Sequence, residues 1–127
     1  MRQNISSGGP WEEVVGYSRA VRIGNVVAVS GTTAAMPDGS VYGGEDAYAQ
    51  AYRAFEIAEQ ALREAGAKRE DVIRTRMFVT DMARWEDFSR AHGDFFRETR
   101  PAATMVEVRR LMTPEMLIEV EIDAVIG

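Results

Sequence analysis

The sequence contains no cysteine and only one histidine, His92. Without cysteine there is no disulfide framework, thiolate nucleophile, iron–sulfur cluster or cysteine-ligated zinc. A lone histidine excludes a multi-histidine metal centre within one chain. Long apolar runs are also missing. The stretch around Val26 to Val29 falls far short of the roughly 20 residues that a membrane span requires. Met1 to Glu13 is polar and lacks the apolar core of a signal peptide. No Gly-x-Ser-x-Gly elbow surrounds a serine, and the Gly-x-Gly-x-x-Gly and Walker signatures are absent, which argues against a triad using His92 and against NAD, FAD or ATP sites. Positive charge is scarce. Fifteen basic against twenty acidic residues leave a net charge of −5, which repels phosphate backbones. The expectation is a cytoplasmic domain with no nucleic-acid partner and no membrane partner.

What is present suits one globular unit. The 127 residues are 46% apolar, enough for a single domain over residues 1–127 that buries its core without metal or disulfide staples. The opening, through Ser6-Ser7-Gly8-Gly9-Pro10, reads as irregular, with Trp11 as the first large anchor. Tyr17 to Ile23 and Val26 to Ser30 read as strands of a hairpin, joined by Gly24-Asn25, a signal for a primed turn. Thr32 to Gly44 reads as a loop with a short strand near Val41. From Asp46 the apolar residues Tyr48, Ala51, Tyr52, Phe55, Ala58, Leu62 and Ala65 recur at helical steps, and Gly66 ends that helix. Val72 to Thr80 is a strand. Trp85, Phe88, His92, Phe95 and Phe96 mark a second amphipathic helix that stops before Pro101. Ala103 to Val108 alternates as a strand, and so does the last segment, where Ile118, Val120, Ile122, Ala124 and Ile126 oppose Glu119, Glu121 and Asp123.

The order β-β-α-β-α-β-β, with right-handed crossovers, places both helices on one face of a mixed sheet. The other face then meets water or another subunit, and Met105 is expected among its apolar groups. The acids of the last strand have two readings. They form a ladder neutralised by Arg74, Arg76 or Arg109, or one of them serves as a general base or water-orienting group. His92 lies on the apolar stripe of its helix, which fits a hydrogen-bonded core or interface histidine better than a catalytic one. Ser30-Gly31 at a strand end allows close approach of a ligand, or marks a tight turn.

Several segments in order resemble the RidA/YjgF family of reactive-intermediate deaminases. These are Gly16-Tyr17, Gly24-Asn25 with Val29-Ser30-Gly31, Ala65-Gly66, Asp71-Val72-Ile73 leading to Phe78-Val79-Thr80-Asp81, the run Pro101 to Val108, and Ile118-Glu119-Val120-Glu121. The resemblance implies a chorismate-mutase-like α+β fold and a homotrimer with clefts between adjacent subunits. It also implies hydrolysis of 2-imino acids and their enamine tautomers to 2-keto acids and ammonia, without metal or cofactor. By the same resemblance, Tyr17, Ser30 and Gly31 line the ligand, and Glu119, from the neighbouring subunit's side of the cleft, orients the attacking water. The chain departs from the family's Pro-x-Arg-Thr/Ser at Pro101-Ala102-Ala103-Thr104, so Ala103 stands where an arginine grips the substrate carboxylate. Met105 occupies the position often held by a small residue or cysteine, and Ala83 that of an asparagine found in some members. A bidentate arginine–carboxylate contact contributes roughly 1.5–3 kcal/mol, about 10- to 150-fold in binding. Arg19 and Arg76 are candidate substitute cations, with salt bridges to the acids of the last strand as their other role. The expected function is hydrolytic deamination of an imine, enamine or related small metabolite other than the usual 2-imino acids. The alternative is a non-catalytic small-molecule-binding or regulatory trimer.

Overall fold

The computed structural model describes all 127 residues. The strands are β1 (Arg2–Ile5), β2 (Ala20–Ile23), β3 (Val26–Thr32), β4 (Val72–Val79), β5 (Ala102–Glu107) and β6 (Ile118–Val125). They form one six-stranded sheet in the order β1-β2-β3-β6-β4-β5. All neighbours run antiparallel except β4 and β5, which are parallel. Three α-helices accompany them: α1 (Pro10–Val15), α2 (Ala47–Glu64) and α3 (Trp85–Phe96).

The long helices form where the sequence supplies both a stripe and an end signal. Asp46 caps α2 by accepting from the Ala49 backbone N–H, and Gly66 takes a left-handed φ of 93° just past its end. Ala47, Ala51, Ala54, Ala58 and Ala61 are all buried, so α2 sits close over β3 and β6. Phe55, Leu62, Phe88, Phe95 and Phe96 fill the layer between helices and sheet. On the sheet side, Val27, Val29, Met77, Val79, Ile118, Val120, Ile122 and Ala124 point into the same core. The alternation of β6 is realised as read, with both long helices on one face.

Five expectations are corrected. The opening is irregular only in part: Ser6 to Gly9 carry no regular structure, but a strand precedes them and a helix follows. β1 pairs with β2 from Arg2↔Ile23 to Ile5↔Ala20, and α1 starts with Pro10 at its first turn and ends at Gly16 with φ 85°. Trp11 is no anchor; it is 57% exposed, while Glu12 beside it is buried and accepts from Ser7. The first hairpin strand starts at Ala20, because Gly16 turns the chain and leaves Tyr17 and Ser18 outside the ladder. Met105 lies on the helix side of the sheet. It pairs with buried Met77 in the parallel β4–β5 ladder and packs against the core. The short strand near Val41 is a single bridge to Ala35.

Candidate functional site

Residues of one strand face follow from the ladders. Thr75, Met77 and Val79 are buried beneath the helices, so their β5 partners Ala103, Met105 and Glu107 share that side. Glu119, paired with Phe78, points to the opposite side with Glu121 and Asp123. The acid ladder divides into two parts. Arg76 bridges Asp123 at 3.0 Å and Glu121 at 3.6 Å. Of the three arginines considered for that role, Arg76 is the one that makes it. Glu119 has no ion pair within the chain.

Glu119 instead rests on a bulge. The β3–β6 register runs Val29↔Ile122 and then Thr32↔Val120, so Ser30 and Gly31 occupy the space of one partner residue. The bulge is held by specific bonds. The Ser30 N–H donates to the Arg19 carbonyl at 3.0 Å, and the Ser30 hydroxyl donates to the Ser18 carbonyl at 2.6 Å. The Thr32 hydroxyl donates to the Ser30 carbonyl at 2.8 Å, and the Arg19 guanidinium donates to the Gly31 carbonyl. Gly31 is required for clearance. A Cβ there would stand 2.2 Å from Glu119 Oε2 and 2.9 Å from its Cδ. The Arg19 guanidinium also lies 5.8 Å from the centre of the Tyr17 ring.

The structure thus brings Tyr17, Arg19, Ser30, Gly31 and Glu119 together within one chain. Glu119 does not reach this group from a neighbouring subunit, because β6 is hydrogen-bonded to β3 of the same chain. Burial pushes the Glu119 carboxyl above its ordinary value; Arg19 partly opposes this and Glu121 adds to it. A raised carboxyl pKa makes the carboxylate form a stronger proton acceptor than an ordinary surface glutamate.

Ala103 and Met105 are not part of that cluster. They lie two strands away on the other side of the sheet, and Ala103 is exposed on the unpaired edge of β5. Sequence reasoning missed the pair formed on this side by His92 and Thr75. The His92 Nε2 lies 2.8 Å from the hydroxyl of fully buried Thr75. The signal was a threonine on the buried face of a strand, which needs a hydrogen-bond partner. No group of three histidine, aspartate or glutamate side chains converges in metal-binding geometry, and no helix is long and apolar enough to cross a membrane.

A six-stranded mixed sheet with two long helices on one face, and a carboxylate set on a glycine bulge, define a class that comparison with known proteins makes specific. The family model described as Endoribonuclease L-PSP matches residues 11–126. An uncharacterised protein of Streptomyces coelicolor is 38% identical over 98% of this chain and 92% of its own. The 3-aminoacrylate deaminase RutC of Acinetobacter baylyi is 32% identical over 82% of each chain. Among solved structures, a YjgF/YER057c/UK114 family member from Mycobacterium tuberculosis superposes with a TM-score of 0.90 at 44% identity, covering 99% of this chain and 100% of that one. The YjgF gene product of E. coli gives 0.80 at 31% identity, covering 96% and 92%. The chain belongs to the YjgF/RidA family, and its fold is the chorismate-mutase-like fold of that family.

Proposed function

We propose that this chain hydrolyses the C–N bond of a small imine or enamine metabolite, in a cleft completed between copies of the chain in a homotrimer. The observation that carries the reading is Glu119, a half-buried carboxylate without an ion pair, seated on Gly31 within a cluster that includes Tyr17 and Ser30. Neighbouring acids that serve structure are neutralised by Arg76; Glu119 is left free for chemistry. A relative named for deaminating 3-aminoacrylate, an enamine, supports the substrate class.

In the proposed reaction the enamine first takes a proton on carbon to become the iminium ion, and an imine substrate enters as the same protonated ion. Glu119 then accepts a proton from water as the water oxygen bonds to the imine carbon. The resulting carbinolamine receives that proton on nitrogen. The C–N bond breaks, ammonia leaves with its electron pair, and the hydroxyl loses a proton to give the carbonyl product. One water is consumed and no electrons are transferred. Tyr17 and the Ser30-Gly31 backbone hold the ligand. Ala103 and Met105 of a second copy supply the opposite wall, since within one chain they face away from Glu119. Of the two candidate cations, Arg76 is committed to Asp123 and Glu121, which leaves Arg19 as the cation of the Glu119 wall.

The alanine at position 103 favours a second reading, a trimer that binds a small metabolite without turnover. An amino-acid dehydratase or oxidase that releases fresh imine separates the two. The native chain should accelerate loss of an imine, and Glu119→Ala should not. If the native chain is inert while Ala103→Arg hydrolyses 2-imino acids, the machinery is present and the natural substrate lies elsewhere. Inertness of both supports binding without turnover.

A further inference from the structure

The segment before the first hairpin has no part in the hydrolytic reading, yet it is tied to the same site. Glu12 of α1 accepts from the Ser7 backbone N–H at 3.1 Å and from the Ser7 hydroxyl. Burial raises the Glu12 carboxyl, but the bonds from Ser7 and Ser6 and the charge of Arg19 outweigh it and hold the group below its ordinary value. The Tyr17 backbone N–H donates to the Glu12 carbonyl at 2.9 Å, which fixes the turn leading to Arg19. The charge of Arg19 thus acts on two carboxylates, Glu12 and Glu119. Its guanidinium is spent on neither; it donates to the carbonyl of Gly31, the residue on which the Glu119 carboxylate rests. The Arg19 Nε is enclosed and has no partner, so that edge of the guanidinium is packed inside the fold and not presented to a ligand.

We propose that Arg19 is a positioning residue of the Glu119 site: it pins the Gly31 carbonyl, fixes the bulge under the carboxylate and sets its positive charge beside it, with Glu12 as its second charge partner. The inference rests on the reading of Glu119 as the group that accepts a proton from water. Few charged groups act on Glu119. Glu121 follows on its own strand, and Arg19 comes from the segment before β2, with the Tyr17 ring beside it. β3 contributes Ser30 and Gly31, and β4 contributes Phe78 as its ladder partner, all uncharged. Arg76 of β4 is held by Asp123 and Glu121. A guanidinium near a carboxylate favours the ionised form. Without Arg19, burial and Glu121 act unopposed, and Glu119 keeps its proton to higher pH. Without the Glu12 charge, that of Arg19 is less balanced, and Glu119 loses its proton at lower pH. Two substitutions therefore move one carboxyl in opposite directions, which a purely structural role does not predict.

The test follows the Glu119 side-chain carboxyl across pH by carbon-13 NMR, its signal assigned by its loss in Glu119→Gln. The midpoint should rise by roughly one pH unit in Arg19→Gln. It should stay near the native value in Arg19→Lys, which keeps the charge, and fall in Glu12→Gln, whose amide oxygen can still accept from Ser7. A midpoint unmoved in Arg19→Gln, or unmoved or raised in Glu12→Gln, would overturn the proposal; the second variant decides alone if the first does not fold. A rise in Arg19→Lys as large as that in Arg19→Gln would assign the effect to packing and overturn it too. In the coupled assay, Arg19→Gln should lower kcat and change KM by less than about twofold. A rise in KM of roughly tenfold, confined to imines that carry a carboxylate, would make Arg19 a substrate-binding group and contradict the proposal. If the midpoints move as stated but the native chain hydrolyses no imine, the hydrolytic reading falls and the role of Arg19 toward Glu119 stands.

Discussion

At the scale of single residues, Glu119 and Gly31 constrain each other. The carboxylate occupies the space that any side chain at position 31 would need. Gly31→Ala should still fold, since the clashing atoms belong to the movable end of Glu119, but it should push the carboxylate off the bulge. The expected result is a loss of hydrolysis of at least tenfold with a change in thermal midpoint of only a few degrees, read by coupled assay and calorimetry. Glu119 also leaves a mark on stability. Its folded-state pKa is raised, so the folded state favours the protonated form. Its contribution to stability is therefore greatest below the ordinary value of 4.5 and is lost as pH rises through the folded value. Denaturant midpoints at pH 4 and pH 7 should show the native chain losing ground to Glu119→Gln as pH rises. A gap that stays constant would mean the carboxyl is solvated like any surface acid. The residues of this site were readable in the sequence mainly through family resemblance. Alternation placed Glu119 on a strand face with Glu121 and Asp123, but it could not separate the free acid from the two paired ones. That difference is made by Arg76, which reaches Asp123 and Glu121 and stops short of Glu119.

At the scale of elements, periodicity carried most of the fold. The stripes of α2 and α3, the Gly24-Asn25 hairpin and the alternation of β6 were all legible because each is repeated over several residues. The first sixteen residues were not. β1 is a short edge strand with three exposed positions and one buried, Ile5, so no alternation could emerge. Pro10 and Gly16 do bracket α1 as start and stop signals, but the Ser-Ser-Gly-Gly run before them dominated the reading. The bulge at Ser30-Gly31 was equally hidden, because it depends on register with a strand about ninety residues later. One buried side chain links these distant elements. Gln50 on α2 donates to the Gly44 carbonyl at 2.8 Å and the Glu115 carbonyl at 3.0 Å, and it accepts from the Leu117 N–H at 2.7 Å. It ties the start of α2 to the segment that delivers Glu119. Gln50→Ala should cost about 2–4 kcal/mol, since three backbone groups lose their partner. Urea denaturation measures that cost; a loss below about 1 kcal/mol would show that water replaces the amide without penalty.

At the scale of the whole molecule, the two halves of the proposed site lie on opposite faces of one sheet, so a single chain cannot close a cleft around both. The edge of β5 is unpaired, and Ala102, Ala103, Thr104 and Val106 are exposed along it. Exposed edges of this kind are normally protected or paired. Sedimentation at micromolar concentration should give a particle of three times the 14.1 kDa chain mass. A stable monomer would separate Ala103 from Glu119 and dismantle the cleft. The most direct test of the hydrolytic centre is the dependence of imine hydrolysis on pH. The rate should rise as Glu119 loses its proton, with a midpoint above the ordinary glutamate value of 4.5, and Glu119→Gln should abolish that rise. A native rate that stays level across this titration, or a profile unchanged in Glu119→Gln, would contradict the account.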